Sequence, residues 1–108
     1  MTPIEVTVED VRALLDAGEP IVLLDVRRPE EHAHVNIGGV LIPLHELPER
    51  LGELVGHRDA RVIAYCHHGV RSLHAAQLLR DNGFEHAQSM SGGIDAWSLR
   101  IDPSKPRY

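Results

Sequence analysis

The only cysteine lies in the segment Cys-His-His-Gly-Val-Arg-Ser, residues 66–72, whose residue types could make it a nucleophile. An apolar run precedes the segment, and an alanine- and leucine-rich helical pattern follows it over residues 73–80. This order predicts a strand, a tight loop and a helix, with Cys66 at the end of the strand. The N–H groups and partial positive charge of a helix N-terminus favour a thiolate over a thiol. Gly69 allows the loop to close, and Arg71 adds a cation that keeps its proton.

The side chains beside the cysteine have more than one interpretation. His67 and His68 could border the pocket mouth, where a protonated imidazole would help to hold the thiolate, or both could face solvent. Ser72 could donate to the loop or cap the following helix, and we favour the cap. Adjacent residues such as Cys66, His67 and His68 rarely point at one ion, and the other histidines lack ligand spacing. We therefore expect no metal and no cofactor.

A polar pair follows a second apolar run. Residues 21–24 are continuously apolar, which is typical of a parallel strand covered on both faces, and Asp25 and Arg27 come next. Open α/β sheets bind ligands at the carboxyl ends of their strands. Two interpretations stay open: Arg27 contacts the substrate directly, or Asp25 and Arg27 form a structural ion pair.

Strands and helices alternate along the chain, which implies an α/β fold with a mainly parallel sheet covered on both faces. The strands are expected at residues 4–6, 21–24, 40–42, 61–65 and 87–90. Helices are expected after the N-cap Thr7, from Pro29, along the stripe Leu44, Leu47, Leu51, Leu54 and Val55, over 73–80, and from residue 91. Gly83 followed by the apolar Phe84 is typical of the end of the fourth helix. The proline-rich residues 101–108 are expected to lie along the surface.

Composition limits the function classes. The 108 residues suit one domain, 1–108, and carry a net charge of −5. Residues 1–59 hold 12 acidic and 5 basic side chains, whereas residues 60–108 hold 4 and 6. The thiol therefore lies in the less acidic half, which suits a small anionic substrate and argues against nucleic acid. With no leader, no membrane-length apolar run and no exposed apolar stripe, we expect a soluble, cytoplasmic monomer.

The motifs together resemble those of the rhodanese-like sulfurtransferases. Their active-site loop has the pattern Cys-x-x-Gly-x-Arg-Ser/Thr, and further hallmarks are Asp-x-Arg after the second strand and Gly-Gly-x-x-Ala-Trp, here residues 92–97. The chain departs from the family at Asn36 and Gly38, where His and Pro are usual. The resemblance implies the strand order 1-5-4-2-3, a role for Asp25 in organising Arg27, and a persulfide on Cys66. It also implies a binding loop made of His67, His68, Gly69, Val70, Arg71 and Ser72.

Three functions follow from these observations. The first is transfer of sulfane sulfur from thiosulfate or a persulfide donor to an external thiol, cyanide or protein, because no second cysteine could resolve the persulfide. The second is phosphatase-like or arsenate-reductase-like chemistry, which the short Cys-x4-Arg spacing disfavours, since a phosphoryl group needs a wider ring of amides. The third is a sulfur-relay or docking module, because the loop and tail look similar to rhodanese-like domains appended to adenylating enzymes.

Overall fold

Five parallel strands form the sheet in the computed structural model, which describes residues 2–108. The strands are β1 (Glu5–Val6), β2 (Ile21–Asp25), β3 (Val40–Leu41), β4 (Arg61–Tyr65) and β5 (Gln88–Met90). The helices are α1 (Val8–Asp16), α2 (Pro29–His34), α3 (Leu47–Arg50), α4 (Val70–Asp81) and α5 (Gly93–Arg100). The strand order is β1-β5-β4-β2-β3 and every neighbouring pair is parallel, so the predicted fold class and order are confirmed.

The central strand β4 divides the core into two layers. Val62 and Ala64 point to the layer that contains Leu79 of α4, whereas Ile63 and Tyr65 point to the layer that contains α1 and α5. All four strand residues are fully buried, as the continuous apolar run predicts. Because side chains alternate along a strand, Cys66 falls on the α4 side of the sheet. The α4 helix packs against β4, the central strand of the sheet, and its neighbour β5.

Two helices begin or end at the residues that the sequence indicates. Thr7 caps α1, and its side-chain oxygen accepts a hydrogen bond from Asp10 N at 3.1 Å. Gly83 follows α4 in the left-handed conformation, with φ of 92°. Phe84 then packs back into the core and donates its N–H to Leu79 O at 3.0 Å.

The prediction of a single amphipathic helix between residues 44 and 55 is wrong. The segment consists of a 3₁₀ turn at Leu44–Glu46, the short helix α3, and a second 3₁₀ stretch at Leu51–His57. A 3₁₀ helix has 3.0 residues per turn against 3.6 in an α-helix, so the apolar stripe does not stay on one face. Leu47 and Leu54 are buried, but Val55 is 52% exposed.

Residues 101–108 lie on the surface without helix or strand, as expected. Lys105 N donates a hydrogen bond to the backbone carbonyl of Asp102, which forms a turn. Arg107 then forms an ion pair with Asp95 of α5 at 2.9 Å. The tail then continues to Tyr108, whose ring lies against His67. None of the helices in residues 2–108 combines the length and apolarity that crossing a bilayer requires.

Candidate active site

Cys66 lies directly after β4, at the carboxyl end of the sheet, in the position that the sequence predicts. Its side chain is buried, and two backbone N–H groups converge on Sγ, from Gly69 at 3.0 Å and from Ser72 at 3.4 Å. Both donors belong to the start of α4, where the first N–H groups have no helical partner. The loop therefore directs main-chain donors at a single sulfur atom, which stabilises negative charge there.

The N-terminus of α5 holds the other side of this loop. Ile94 N donates to Cys66 O at 2.8 Å, and Asp95 N donates to His67 O at 3.1 Å. Gly93 has φ of 60°, and a Cβ there would overlap both of these carbonyl oxygens. The Gly-Gly motif is thus a packing requirement of the active-site loop, because only a residue without a side chain allows so close an approach.

Ser72 does not cap α4, and that prediction is wrong. Gly69 already occupies the N-cap position with φ of 105°, and the helix begins at Val70. Ser72 therefore lies inside the first turn, where its Oγ is 3.4 Å from Sγ of Cys66 and 2.7 Å from Oγ of Ser89. A buried hydroxyl at this position can exchange a hydrogen bond with the sulfur, so Ser72 belongs to the site itself.

Arg71 forms a bidentate ion pair with Glu31 of α2. Its Nη1 and Nη2 donate to the two carboxylate oxygens at 2.7 and 3.0 Å. The Arg71 hydrogen bonds hold the pKa of Glu31 down at about 2, although partial burial opposes this. The same bonds raise the pKa of Arg71, although burial opposes this. The cation expected near the thiol is present, but its guanidinium is committed to Glu31.

Asp25 and Arg27 form a fully buried ion pair, the second of the two interpretations. Arg27 Nε and Nη2 donate to the Asp25 carboxylate at 2.9 and 2.8 Å, and Nη2 also donates to Val35 O. His32 Nδ1 lies 2.8 Å from the same carboxylate. Burial is the largest single effect and lowers the pKa of Arg27, but the hydrogen bonds to Asp25 and Tyr108 and the charge of Asp25 together outweigh it and raise the pKa. The pair therefore fixes the loop after β2.

The two histidines have different surroundings. His67 is half-buried between the rings of His68 and Tyr108, each with a centroid 3.9 Å away. Burial, followed by repulsion from His68, lowers the pKa of His67, so its neutral form is favoured over the protonated imidazole considered from the sequence. His68 is exposed and its Nδ1 is 3.9 Å from Asp95, while Val70 is 68% exposed.

Glu31 and Tyr108 are site residues that the sequence reasoning missed. Glu31 lies in the first turn of α2, and its pairing with Arg71 spans 40 positions of the chain. Tyr108 lies in the tail, and no local pattern places its ring beside residue 67. The one signal in the sequence was that Tyr108 is aromatic, because the chain has only two tyrosines, one tryptophan and one phenylalanine.

A cleft of about 560 Å³ adjoins the site, and its lining includes Arg28, Glu31, His45 and Arg71. A larger cleft of about 1110 Å³ opens near Arg61, Arg80 and His86. Arg61 begins β4 whereas Cys66 follows its last residue, so the larger cleft is at the opposite edge of the sheet from the thiol. No three histidine, cysteine or acidic side chains within residues 2–108 are grouped as a metal site would need.

The fold is a parallel α/β sheet with a cysteine loop at its carboxyl edge, where such sheets bind their ligands. The chain belongs to the Rhodanese-like domain family, whose model matches residues 7–100. Its relatives include sulfurtransferases.

Three comparisons illustrate the relationship. The chain is 35% identical over 112 residues to the adenylyltransferase and sulfurtransferase MOCS3 of Oryza sativa subsp. japonica, covering 92% of this chain and 25% of that protein. The human single-domain sulfurtransferase TSTD1 is 28% identical with a TM-score of 0.77, covering 91% of this chain and 97% of the other. A rhodanese-like domain protein from Staphylococcus aureus is 27% identical with a TM-score of 0.81, covering 100% and 99%.

The first curated relatives are much longer than this chain. It spans about a quarter of their length, between 23% and 26% in the plant proteins and in the probable adenylyltransferase/sulfurtransferase MoeZ of Mycobacterium tuberculosis. The shared part is the rhodanese-like domain, and the rest of those proteins has no counterpart in these 108 residues.

Proposed function

We propose that this protein transfers sulfane sulfur through a persulfide on Cys66. The single observation that carries the proposal is the convergence of two backbone N–H donors, from Gly69 and Ser72, on one buried Sγ atom. Such donors stabilise a thiolate before reaction and the terminal sulfur anion after it, without any side-chain cation that must reorganise.

The reaction has two displacements. The Cys66 thiolate attacks the outer sulfur of thiosulfate, a new S–S bond forms, and sulfite leaves with the electron pair of the broken bond. A nucleophilic acceptor such as cyanide or a thiol then attacks the terminal sulfur of the persulfide, and the Cys66 thiolate leaves. Because Cys66 is the only cysteine, the acceptor must come from outside the chain.

Phosphatase chemistry is the weaker alternative. A phosphoryl group would need a guanidinium free to bind its equatorial oxygens, in addition to a ring of amides. In this loop the Arg71 guanidinium is held by Glu31 through two hydrogen bonds. The amides that reach Sγ come from Gly69 and Ser72, which suits a single sulfur atom better than a phosphate.

A sulfur relay is the second candidate, and the lengths of the relatives favour it. The domain covers about a quarter of proteins named as both adenylyltransferase and sulfurtransferase. In this relay the domain passes sulfur to a protein acceptor and uses cyanide poorly. Efficient transfer from loaded protein to a protein thiocarboxylate or thiol, with slow discharge to cyanide, would distinguish a relay from a general sulfurtransferase.

The test is discharge of a loaded protein. The protein is incubated with thiosulfate, separated from the donor, and treated with cyanide. We expect up to one thiocyanate per chain from the wild type and none from Cys66→Ser, which keeps the side-chain volume and removes the sulfur. Thiocyanate from Cys66→Ser, or none from the wild type with thiosulfate and organic persulfide donors alike, would contradict the proposal.

A further inference from the structure

Tyr108 covers one face of His67, the residue that follows Cys66 in the loop. Its ring stacks on the imidazole of His67 with centroids 3.9 Å apart and planes 4° apart. His34 meets the same ring edge-on at 5.7 Å. His67 directly follows Cys66, so the tail covers the residue beside the nucleophile although the two are far apart in sequence.

The hydroxyl of Tyr108 fixes the ring at this position. Arg27 Nη1 donates to the hydroxyl at 2.7 Å, and the hydroxyl donates to Glu31 Oε2 at 2.6 Å. Arg27 is held by Asp25, and Glu31 is held by Arg71. The phenol therefore joins the two ion pairs of the site, and hydrogen bonds to charged groups are the stronger ones.

The surface under the ring is unusual for a permanently closed contact. His67 Nε2 is buried and has no hydrogen-bond partner within residues 2–108, which is costly for a polar atom. Tyr108 itself remains 41% exposed, so it lies on the outside of the protein and can leave without unpacking the core. Movement of the ring would expose the imidazole and widen the approach to the loop.

We propose that Tyr108 is a specificity-determining gate for the Cys66 loop. This inference rests on the proposed function for its biological meaning. With the ring stacked on His67, small anions such as thiosulfate and cyanide reach the sulfur. Bulky thiols and protein acceptors reach it only when the ring is displaced. Tyr108 does not take part in the bond changes at sulfur.

Alkylation of the single cysteine tests the gate directly. Rate constants are measured near neutral pH for iodoacetamide, which is small, and for a large fluorescent maleimide. A change in the thiolate fraction of Cys66 cancels in the ratio of the two rate constants, because both reagents react with the same thiolate. The variants are Tyr108→Ala, Tyr108→Phe, and the control Leu99→Ala, which truncates an apolar side chain of α5 that is 54% exposed.

We expect Tyr108→Ala to raise the maleimide-to-iodoacetamide ratio by roughly tenfold or more, because two hydrogen bonds to charged groups hold the ring and one alone is worth about that factor. Tyr108→Phe keeps the ring but not its tether, so it should give a smaller rise, and Leu99→Ala should match the wild type. An unchanged ratio in Tyr108→Ala, or equal acceleration of both reagents, would overturn the gate. Tyr108→Phe keeps the test decisive if the alanine variant folds poorly, since an unchanged ratio there would also count against it.

Alkylation requires no sulfur transfer, so the two proposals can fail separately. A protein that never carries sulfur can still show the expected change in the alkylation ratio. Conversely, a protein that releases thiocyanate can show no change with Tyr108→Ala. The first result would remove the proposed function and keep the gate, and the second would do the opposite.

Discussion

Replacement of Gly93 by alanine should damage both the stability and the active site. The added Cβ would overlap the carbonyl oxygens of Cys66 and His67, so α5 and the loop must separate. Separation weakens the hydrogen bonds from Ile94 N and Asp95 N to those carbonyls, which are 2.8 and 3.1 Å long. The left-handed φ of 60° adds strain for any residue with a side chain.

The magnitude follows from these contacts. A left-handed alanine costs roughly 1–2 kcal/mol, and two weakened hydrogen bonds cost roughly 0.5–1.5 kcal/mol each. Together they lower the free energy of unfolding by about 2–5 kcal/mol. A typical domain has a free energy of unfolding of about 5–15 kcal/mol, so most of the variant protein should stay folded. Because a shift of the Cys66 backbone moves Sγ relative to the Gly69 and Ser72 amides, the rate of alkylation by iodoacetamide should fall about fivefold for each amide bond to Sγ that is lost, the equivalent of about 1 kcal/mol.

The assays are urea unfolding, followed by circular dichroism, and the alkylation rate of Cys66. Gly52→Ala is the matched control, because a Cβ there meets no atom within 4 Å and its φ is not in the left-handed region. That control should change the free energy of unfolding by less than about 0.5 kcal/mol. Wild-type stability and wild-type alkylation in Gly93→Ala would refute the account of how α5 holds the loop.

Three further predictions concern the side chains around the sulfur. Ser72→Ala should lower the alkylation rate of Cys66 about fivefold, because the Ser72 hydroxyl, which accepts from the Cys66 thiol, can turn to donate to the thiolate, and such a bond is worth about 1 kcal/mol; an unchanged rate would contradict that role for Ser72. Arg27→Met leaves Asp25 buried without its guanidinium and should cost about 3–5 kcal/mol in urea unfolding, as broken buried pairs do; a loss below 1 kcal/mol would contradict the buried pair. The pKa of Glu31 is lowered to about 2 from 4.5, so its contribution is complete above pH 4.5 and is lost as the pH falls towards 2. Reduced for solvent screening at a partly exposed site, the shift of the Glu31 pKa corresponds to about 2 kcal/mol in the free energy of unfolding. Glu31→Gln should remove that part of the pH dependence of unfolding, and a pH profile identical to the wild type would count against the Arg71 pair.

The fold could be predicted from the sequence because local patterns and the sheet agree. Continuous apolar runs marked β2 and β4 as buried on both faces, and the caps at Thr7 and Gly83 marked helix ends. The strand order came from the resemblance to a family, since periodicity contains no information on which strands are neighbours. The apolar stripe ending at Val55 led to the wrong prediction of one long helix, because a 3₁₀ stretch changes the angle between successive side chains.

The site could be predicted only in part. Cys66 followed from its loop, since strand, glycine and helix are all local signals. For Ser72 the sequence left a cap and a loop contact open, and the favoured cap was wrong because the backbone conformation of Gly69 makes Gly69 the N-cap. Arg27 stayed ambiguous because a motif does not say which way a side chain turns. Tyr108 contacts residues 77 and 81 positions away, and no local pattern encodes such contacts.

Intact-protein mass spectrometry after exposure to sulfur donors tests the central claim most directly. Wild-type protein treated with thiosulfate or an organic persulfide should gain the mass of one sulfur atom, located on the peptide that contains Cys66, and should lose it again after cyanide. Cys66→Ser should stay unmodified under the same conditions. A wild-type mass that never changes with any donor, or an equal gain in Cys66→Ser, would contradict a persulfide held by the Gly69 and Ser72 amides.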